Sequence, residues 1–314
     1  MIERPFQLAT LPTPLHPLER LSALVGQDIW IKRDDLTGYA MGGNKVRKAE
    51  FLLADARAQG ADITLTAGAV QSNHARVIAS VSRRFGMECR LYLSGQPTDP
   101  PAGNLLLNRL AGAQIQCVPT SAERSAAMER DAAKLREEGR RPYVIPIGGS
   151  NAVGSMGYAA FFEELAVQLK ALPAKPTVLL FPTSSGGTYA GILAGKALTR
   201  SEVELLGIRV DLDPEPERVI CEVASALAER LGIPDRFTPA DAPMNADFVG
   251  EGYGQPTDAG QEAMRLLWQE EGVLLDPVYT GKAMSGLLSL ARQGAFSGRR
   301  VIFLHTGGAP GVFR

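Results

Sequence analysis

The chain has 314 residues, 45% hydrophobic and 21% charged, an ordinary globular composition with length enough for one large or two medium domains. Its 33 Lys and Arg nearly balance its 34 Asp and Glu, so no overall field favours nucleic acid or an anionic membrane, and a small molecule is the expected partner. The three cysteines, Cys89, Cys117 and Cys221, are odd in number and far apart, which argues for inert buried thiols in a reducing compartment and against a disulfide framework. His16, His74 and His305 show no paired ligand spacing, so no catalytic metal is expected.

At the amino end Glu3, Arg4 and several prolines make neither a signal-peptide core nor a transit helix, and no apolar run approaches membrane-spanning length. A cytoplasmic protein is the expectation. An apolar run over 29–35 then leads into Met41-Gly42-Gly43-Asn44-Lys45-Val46-Arg47-Lys48 and a helical pattern over 49–58. Runs at 63–66, 90–93, 115–118 and 143–147 read as buried parallel strands; 73–85, 104–110 and 121–138 read as helices, the first stopped by Gly86. A long helical run over 156–172 ends in a Pro-containing break at 171–176. Alternation then resumes through 178–181, 189–198, 205–210, 218–231, 258–269, 282–292 and 301–304. The pattern predicts the α/β class, with open parallel sheets flanked by helices and a simple division near residue 173.

Five stretches carry chemistry. Lys45 stands at a helix start, where the macrodipole and the like charges of Arg47 and Lys48 disfavour its ammonium form; a neutral amine condenses with aldehydes, and Gly42 and Gly43 would let a flat ring approach the backbone. A solvated basic helix start fits the same residues. Pro182-Thr183-Ser184-Ser185-Gly186-Gly187-Thr188 lies between a strand and a helix and suits a phosphate, or simply a tight turn. It lacks the lysine of a Walker loop, and no Gly-x-Gly-x-x-Gly pattern is present, so nucleotide binding loses support.

Gln71-Ser72-Asn73-His74 follows a strand's carboxyl end, where open sheets bind ligands; Ser72 reads equally as a helix N-cap, and His74 as a structural histidine. Two glycine-rich loops, Gly250-Glu251-Gly252-Tyr253-Gly254 and Asp276-Pro277-Val278-Tyr279-Thr280-Gly281, each carry a tyrosine that packing alone could explain.

Together with Gly148-Gly149-Ser150-Asn151 and His305-Thr306-Gly307-Gly308, these motifs resemble, in order and over nearly the whole chain, the pyridoxal-phosphate enzymes of the D-cysteine desulfhydrase and aminocyclopropanecarboxylate deaminase family. The resemblance implies fold type II, shared with the tryptophan synthase β-subunit. It also implies a large cofactor-binding domain (1–49 and 161–314), a small domain (50–160), a cleft between them and a homodimer. Lys45 would carry pyridoxal 5′-phosphate; Ser185, Gly186, Gly187 and Thr188 would hold its phosphate; Asn44 would contact the cofactor, Asn73 its phenolic oxygen and Thr306 the pyridine nitrogen. Gln71, Ser72 and Asn73 would receive the substrate carboxylate, with Ser72 beside the reacting carbon. Tyr279 would stack on the ring or touch substrate, Tyr253 would lie near the reacting side chain, and Thr280 would also face substrate.

Cyclopropane-opening deaminases of the family have a glutamate where this chain has Thr280, facing the pyridine nitrogen. A neutral hydroxyl from Thr306 leaves the ring a weaker electron sink, which favours prompt loss of a β-leaving group. The implied reaction is α,β-elimination from D-cysteine or a related β-substituted amino acid to pyruvate, ammonia and sulfide, with Lys45 or Ser72 taking the α-proton. (R)-Cysteate (L-cysteate) sulfo-lyase is the alternative, 1-aminocyclopropane-1-carboxylate deaminase a more distant one, and a non-catalytic cofactor-binding protein the alternative from another class.

Overall fold

A computed structural model describes residues 2–313. The chain opens with β1 (Leu15–Pro17), α1 (Glu19–Val25), β2 (Asp28–Lys32) and α2 (Asn44–Ala58). Four strands and their helices follow: β3 (Ile63–Ala69), α3 (Asn73–Arg84), β4 (Glu88–Ser94), α4 (Gly103–Leu110), β5 (Gln114–Val118), α5 (Ser121–Glu137) and β6 (Pro142–Ile145). After α6 (Ala152–Leu169) come β7 (Thr177–Thr183), α7 (Gly187–Thr199), β8 (Glu204–Arg209), α8 (Pro216–Leu231), β9 (Met244–Asn245), α9 (Asp258–Glu271), α10 (Thr280–Arg292) and β10 (Arg300–Leu304).

Two sheets result. One runs β5-β4-β3-β6, all parallel; the other runs β1-β2-β10-β7-β8-β9, parallel except for β1 against β2. The division near residue 173 expected from periodicity alone does not hold, because β2 pairs along its length with β10 and so joins the carboxyl-terminal sheet. Periodicity cannot reveal this: strand pairing between residues 28–32 and 300–304 is non-local.

Side-chain alternation fills both faces of the larger sheet. Val178, Leu180, Val301 and Phe303 pack with α9 and α10, while Leu179, Phe181, Ile302 and Leu304 pack with α6, α7 and α8. Each such buried side chain contributes roughly 1.5–3 kcal/mol. In the smaller sheet Ile63, Leu65 and Ala67 face α5, whereas Thr64 and Thr66 face α3, bonding Ser82 and His74. Parallel strands in register bring the loops after β3, β7 and β10 to one side, and α2 begins there. No helix among the described residues is long and apolar enough to cross a membrane. All three cysteines are free, and Cys117 is exposed on β5 at a sheet edge, against the expectation that all three thiols are buried.

Candidate active site

A cleft of about 1030 Å³ is lined by Lys45, Ser72, Asn73, Ser185, Thr188, Tyr253, Tyr279 and Thr306, among others. The chain reaches Lys45 through a tightly folded loop. Ala40 and Met41 adopt left-handed backbone, as do Gly42 and Gly43. A Cβ on Gly42 would lie 2.0 Å from the Asp35 carbonyl oxygen, and one on Gly43 3.0 Å from that of Thr306. These glycines therefore admit neighbouring backbone; neither lines the cleft, so the expectation that they clear space for a ring is corrected. The Asn44 amide donates to the Thr306 carbonyl at 2.9 Å, which ties the start of α2 to the end of β10.

Burial, and then the charge of Arg76, lower the Lys45 amine to about 8. The direction matches the sequence argument, but the cause differs. The Arg47 side chain turns away to Asp34 and Glu164, and Lys48 donates to the Gly148 carbonyl at 2.7 Å, its own amine pushed well down by burial and by Lys45. Arg76, one turn into α3, donates to the Gly42 carbonyl at 2.9 Å, while its Nε and Nη1 have no partner. Burial lowers even this guanidinium to about 10, yet it stays charged near neutrality.

Asn44 links two functional groups, with Nδ2 donating to Thr188 Oγ1 at 3.1 Å and Oδ1 accepting from Lys45 Nζ at 3.4 Å. At α7, the N-cap Gly186 has φ of 78° and no side-chain cap, which leaves the Thr188 and Tyr189 amides open to an anion beside the Ser185 and Thr188 hydroxyls, while the Gly187 amide is taken by Ser150. Gly187 does not line the cleft; a Cβ there would lie 2.5 Å from Lys48 Nζ, so its part is to admit Lys48 and Ser150. Ser150 donates to Ser185 Oγ at 3.0 Å and accepts from the Gly187 amide.

Ser72 is both the N-cap of α3, accepting from the Ala75 amide, and a wall of the cleft. Asn73 lines it too, its Oδ1 held by Asn104 Nδ2 at 2.9 Å. Gln71 does not: its side chain turns aside, accepting from the Asn104 amide at 2.8 Å and donating to the Ala102 carbonyl, so it fastens the start of α4. His74 lines the cleft but bonds Thr66 and is held well below its ordinary pKa, chiefly by burial, which keeps it neutral.

The Tyr253 and Tyr279 hydroxyls share a hydrogen bond of 2.6 Å. Burial raises both phenols, so the pair stays protonated near neutrality. Asp276 sets Tyr279: its carboxylate accepts from the amides of Val278, Tyr279 and Thr280 and from the Thr280 hydroxyl. Thr280 is consequently buried behind the cleft with its hydroxyl engaged, and does not face substrate as expected. Lys282 donates to the Val249 and Gly252 carbonyls, which secures the loop that carries Tyr253.

This donor set fits a phosphorylated pyridine aldehyde. The cleft offers an uncapped helix start and two hydroxyls for a phosphate, a lysine with a lowered pKa for the aldehyde, and an amide and a hydroxyl for ring heteroatoms. Among the described residues no three His, Cys, Asp or Glu side chains come together as a metal site.

The fold and this site define a pyridoxal-phosphate enzyme of fold type II. Residues 6–307 match the family described as pyridoxal-phosphate dependent enzymes, and the chain belongs to it. It is 42% identical to the D-cysteine desulfhydrases of Salmonella newport (strain SL254) and Salmonella enteritidis PT4 (strain P125109), over 98% of this chain and 94% of theirs. A solved structure of an ACC deaminase homologue superposes with a TM-score of 0.91 at 36% identity, over 99% of this chain and 93% of that one. A hydrogen sulfide-producing enzyme from Fusobacterium nucleatum, at 17% identity and a TM-score of 0.68 over 97% of each chain, shares the fold.

Sequence reasoning gave no site role to Arg76, Ser150, Asp276 or Lys282, and treated Lys48 only as a like charge beside Lys45. The Asp at the head of its motif was the one legible signal, since an Asp side chain commonly bonds the backbone amide two residues on, as Asp276 does that of Val278.

Proposed function

We propose that the chain eliminates the β-substituent of D-cysteine or a closely related amino acid, giving pyruvate, ammonia and sulfide. The observation that carries this reading is the Lys45 amine, lowered to about 8, in one cleft with the uncapped start of α7. The substrate class comes from the full-length likeness to the D-cysteine desulfhydrases. Pyridoxal phosphate, when bound, supplies the aldehyde that condenses with amines and the ring that takes up the electron pair left by the α-proton.

The residues divide the work. Lys45 would hold the cofactor, assisted by Asn44; Ser185, Gly186 and Thr188 would seat its phosphate; Asn73 and Thr306 would bond the ring. Ser72 and the amides at the start of α3 would seat the substrate carboxylate. Lys45 would take the α-proton; Ser72 is less suited, because its oxygen already accepts from Ala75. The Tyr253–Tyr279 pair keeps one hydroxyl proton free to meet the departing sulfur. The carboxylate expected of a cyclopropane-opening deaminase is absent, since Thr280 occupies that position and is turned to Asp276.

The large domain (1–49 and 161–314) and the small domain (50–160) of this proposal meet at the cleft. Both limits fall inside continuous helices, α2 and α6, which connect the two halves. Cytoplasmic residence and a homodimer belong to the same proposal, supported by the free thiols and the family resemblance.

Purified enzyme loaded with cofactor should release pyruvate and sulfide from D-cysteine, and pyruvate from β-chloro-D-alanine. It should leave the cyclopropane amino acid untouched. Absence of pyruvate from every β-substituted amino acid of either hand would sink the reading.

A further inference from the structure

Resting on the elimination reading, we propose that Arg124 recognises the substituent on the substrate's β-carbon and selects one that carries negative charge, a sulfonate or a thiolate. Arg124 is contributed by α5 of the smaller sheet, yet it lines the same cleft as Lys45, Ser72 and Tyr253. Its Nη1 donates to the Ser94 hydroxyl at 3.0 Å, and its Nε is enclosed without a partner. One bond to a neutral hydroxyl is thin compensation for a half-buried cation; Arg47, by contrast, has two carboxylates. Burial lowers the Arg124 guanidinium.

The elimination reading fixes where Arg124 acts. The amino and carboxylate ends of an amino acid belong with Lys45 and Ser72, and that reading gives the departing group to the tyrosine pair. Arg124, which reaches the same cleft from the smaller sheet, is left to meet what extends beyond the β-carbon. Guanidinium remains charged where an ammonium would shift, and it presents a fork that matches sulfonate oxygens. Glu129, Asp211 and Asp213 also line the cleft and would repel an anion, so without Arg124 the cleft would disfavour the same substituent. The chemistry needs no further reactant: the α-proton passes to Lys45, and the Cβ–S bond breaks with its electron pair leaving on sulfur, a sulfonate departing as sulfite and a thiolate as hydrogen sulfide ion after taking a proton from the Tyr253–Tyr279 pair. Water then hydrolyses the enamine to pyruvate and ammonia.

The test uses the holoenzyme, with the change in its visible band as a measure of Kd and pyruvate as a measure of turnover. D-Alanine, D-cysteine and both hands of cysteate are compared in the wild type, Arg124→Gln and Arg124→Lys. Arg124→Gln should weaken cysteate binding by about tenfold to a hundredfold, the range of a lost charge-assisted bond, and leave D-alanine within roughly twofold. Arg124→Lys should recover part of the loss. A fall confined to cysteate assigns the site to sulfonates; a parallel fall in kcat/KM for D-cysteine extends it to thiolates. Equal weakening of D-alanine and cysteate, or none, with pyruvate still released from D-cysteine, overturns the role of Arg124 alone. If no amino acid perturbs the band or yields pyruvate in the wild type, the elimination reading falls and takes this inference with it.

Discussion

Lys45 and Arg47 stand two residues apart on one helix, and the protein treats their charges in opposite ways. Arg47 is buried between Asp34, at 2.8 Å, and Glu164, at 2.9 Å, with Thr13 and Tyr158 completing a network in which its guanidinium is pushed above its ordinary pKa. Lys45 has no carboxylate partner; its company is the Asn44 amide oxygen and the charge of Arg76. One burial is compensated and clamps β2, α2 and α6 together. The other is left uncompensated, and the result is an amine ready to react. Adjacent basic residues in a sequence thus carry no common meaning; the face of the helix decides.

Removing either residue should separate the two roles. Lys45→Ala should abolish the visible cofactor band and lower pyruvate formation at least about a thousandfold, as loss of a covalent nucleophile does, with no loss of stability to denaturant in the cofactor-free chain. Arg47→Met should instead cost about 3–5 kcal/mol of stability, read from urea unfolding, because Asp34 and Glu164 are left buried without their cation. Comparable losses of stability in both variants would erase the contrast.

Smaller effects sharpen it. In the cofactor-free chain Lys45 titrates near 8 instead of 10.5, so the unfolded chain holds that proton more tightly. Stability from this group should therefore rise with pH between 8 and 10.5, with its penalty complete below 8. Urea unfolding on either side of that window should show the rise, and Lys45→Met should remove it. Arg76→Met should raise the Lys45 pKa towards 10.5, seen as an alkaline shift in the pH profile of acylation at Lys45. An unmoved profile would mean that burial alone sets the amine.

Much of this was legible in the sequence. Strand and helix alternate where periodicity places them, Lys45 does open α2, and Ser72 does cap α3 while lining the cleft. The failures share a physical origin. Sheet membership of β2 depends on a partner 272 residues away, as Asp28 pairs with Arg300. Gln71 and Thr280 occupy motif positions but their side chains rotate to saturate backbone groups of α4 and the bond network of Asp276, and a motif does not record rotamers. Arg76 and Arg124 lie in ordinary helical runs, and only the folded arrangement sets them beside Lys45 and in the cleft.

The Asp276 carboxylate, with four donors converging on it, anchors a helix and aims an aromatic ring at once. Foldability and aim therefore cannot be tuned independently along that turn: a change that frees the ring also unfastens α10. The other half of the tyrosine pair is fastened separately, since Lys282 grips two backbone carbonyls of the loop that carries Tyr253, so that ring can be changed without touching the Asp276 turn.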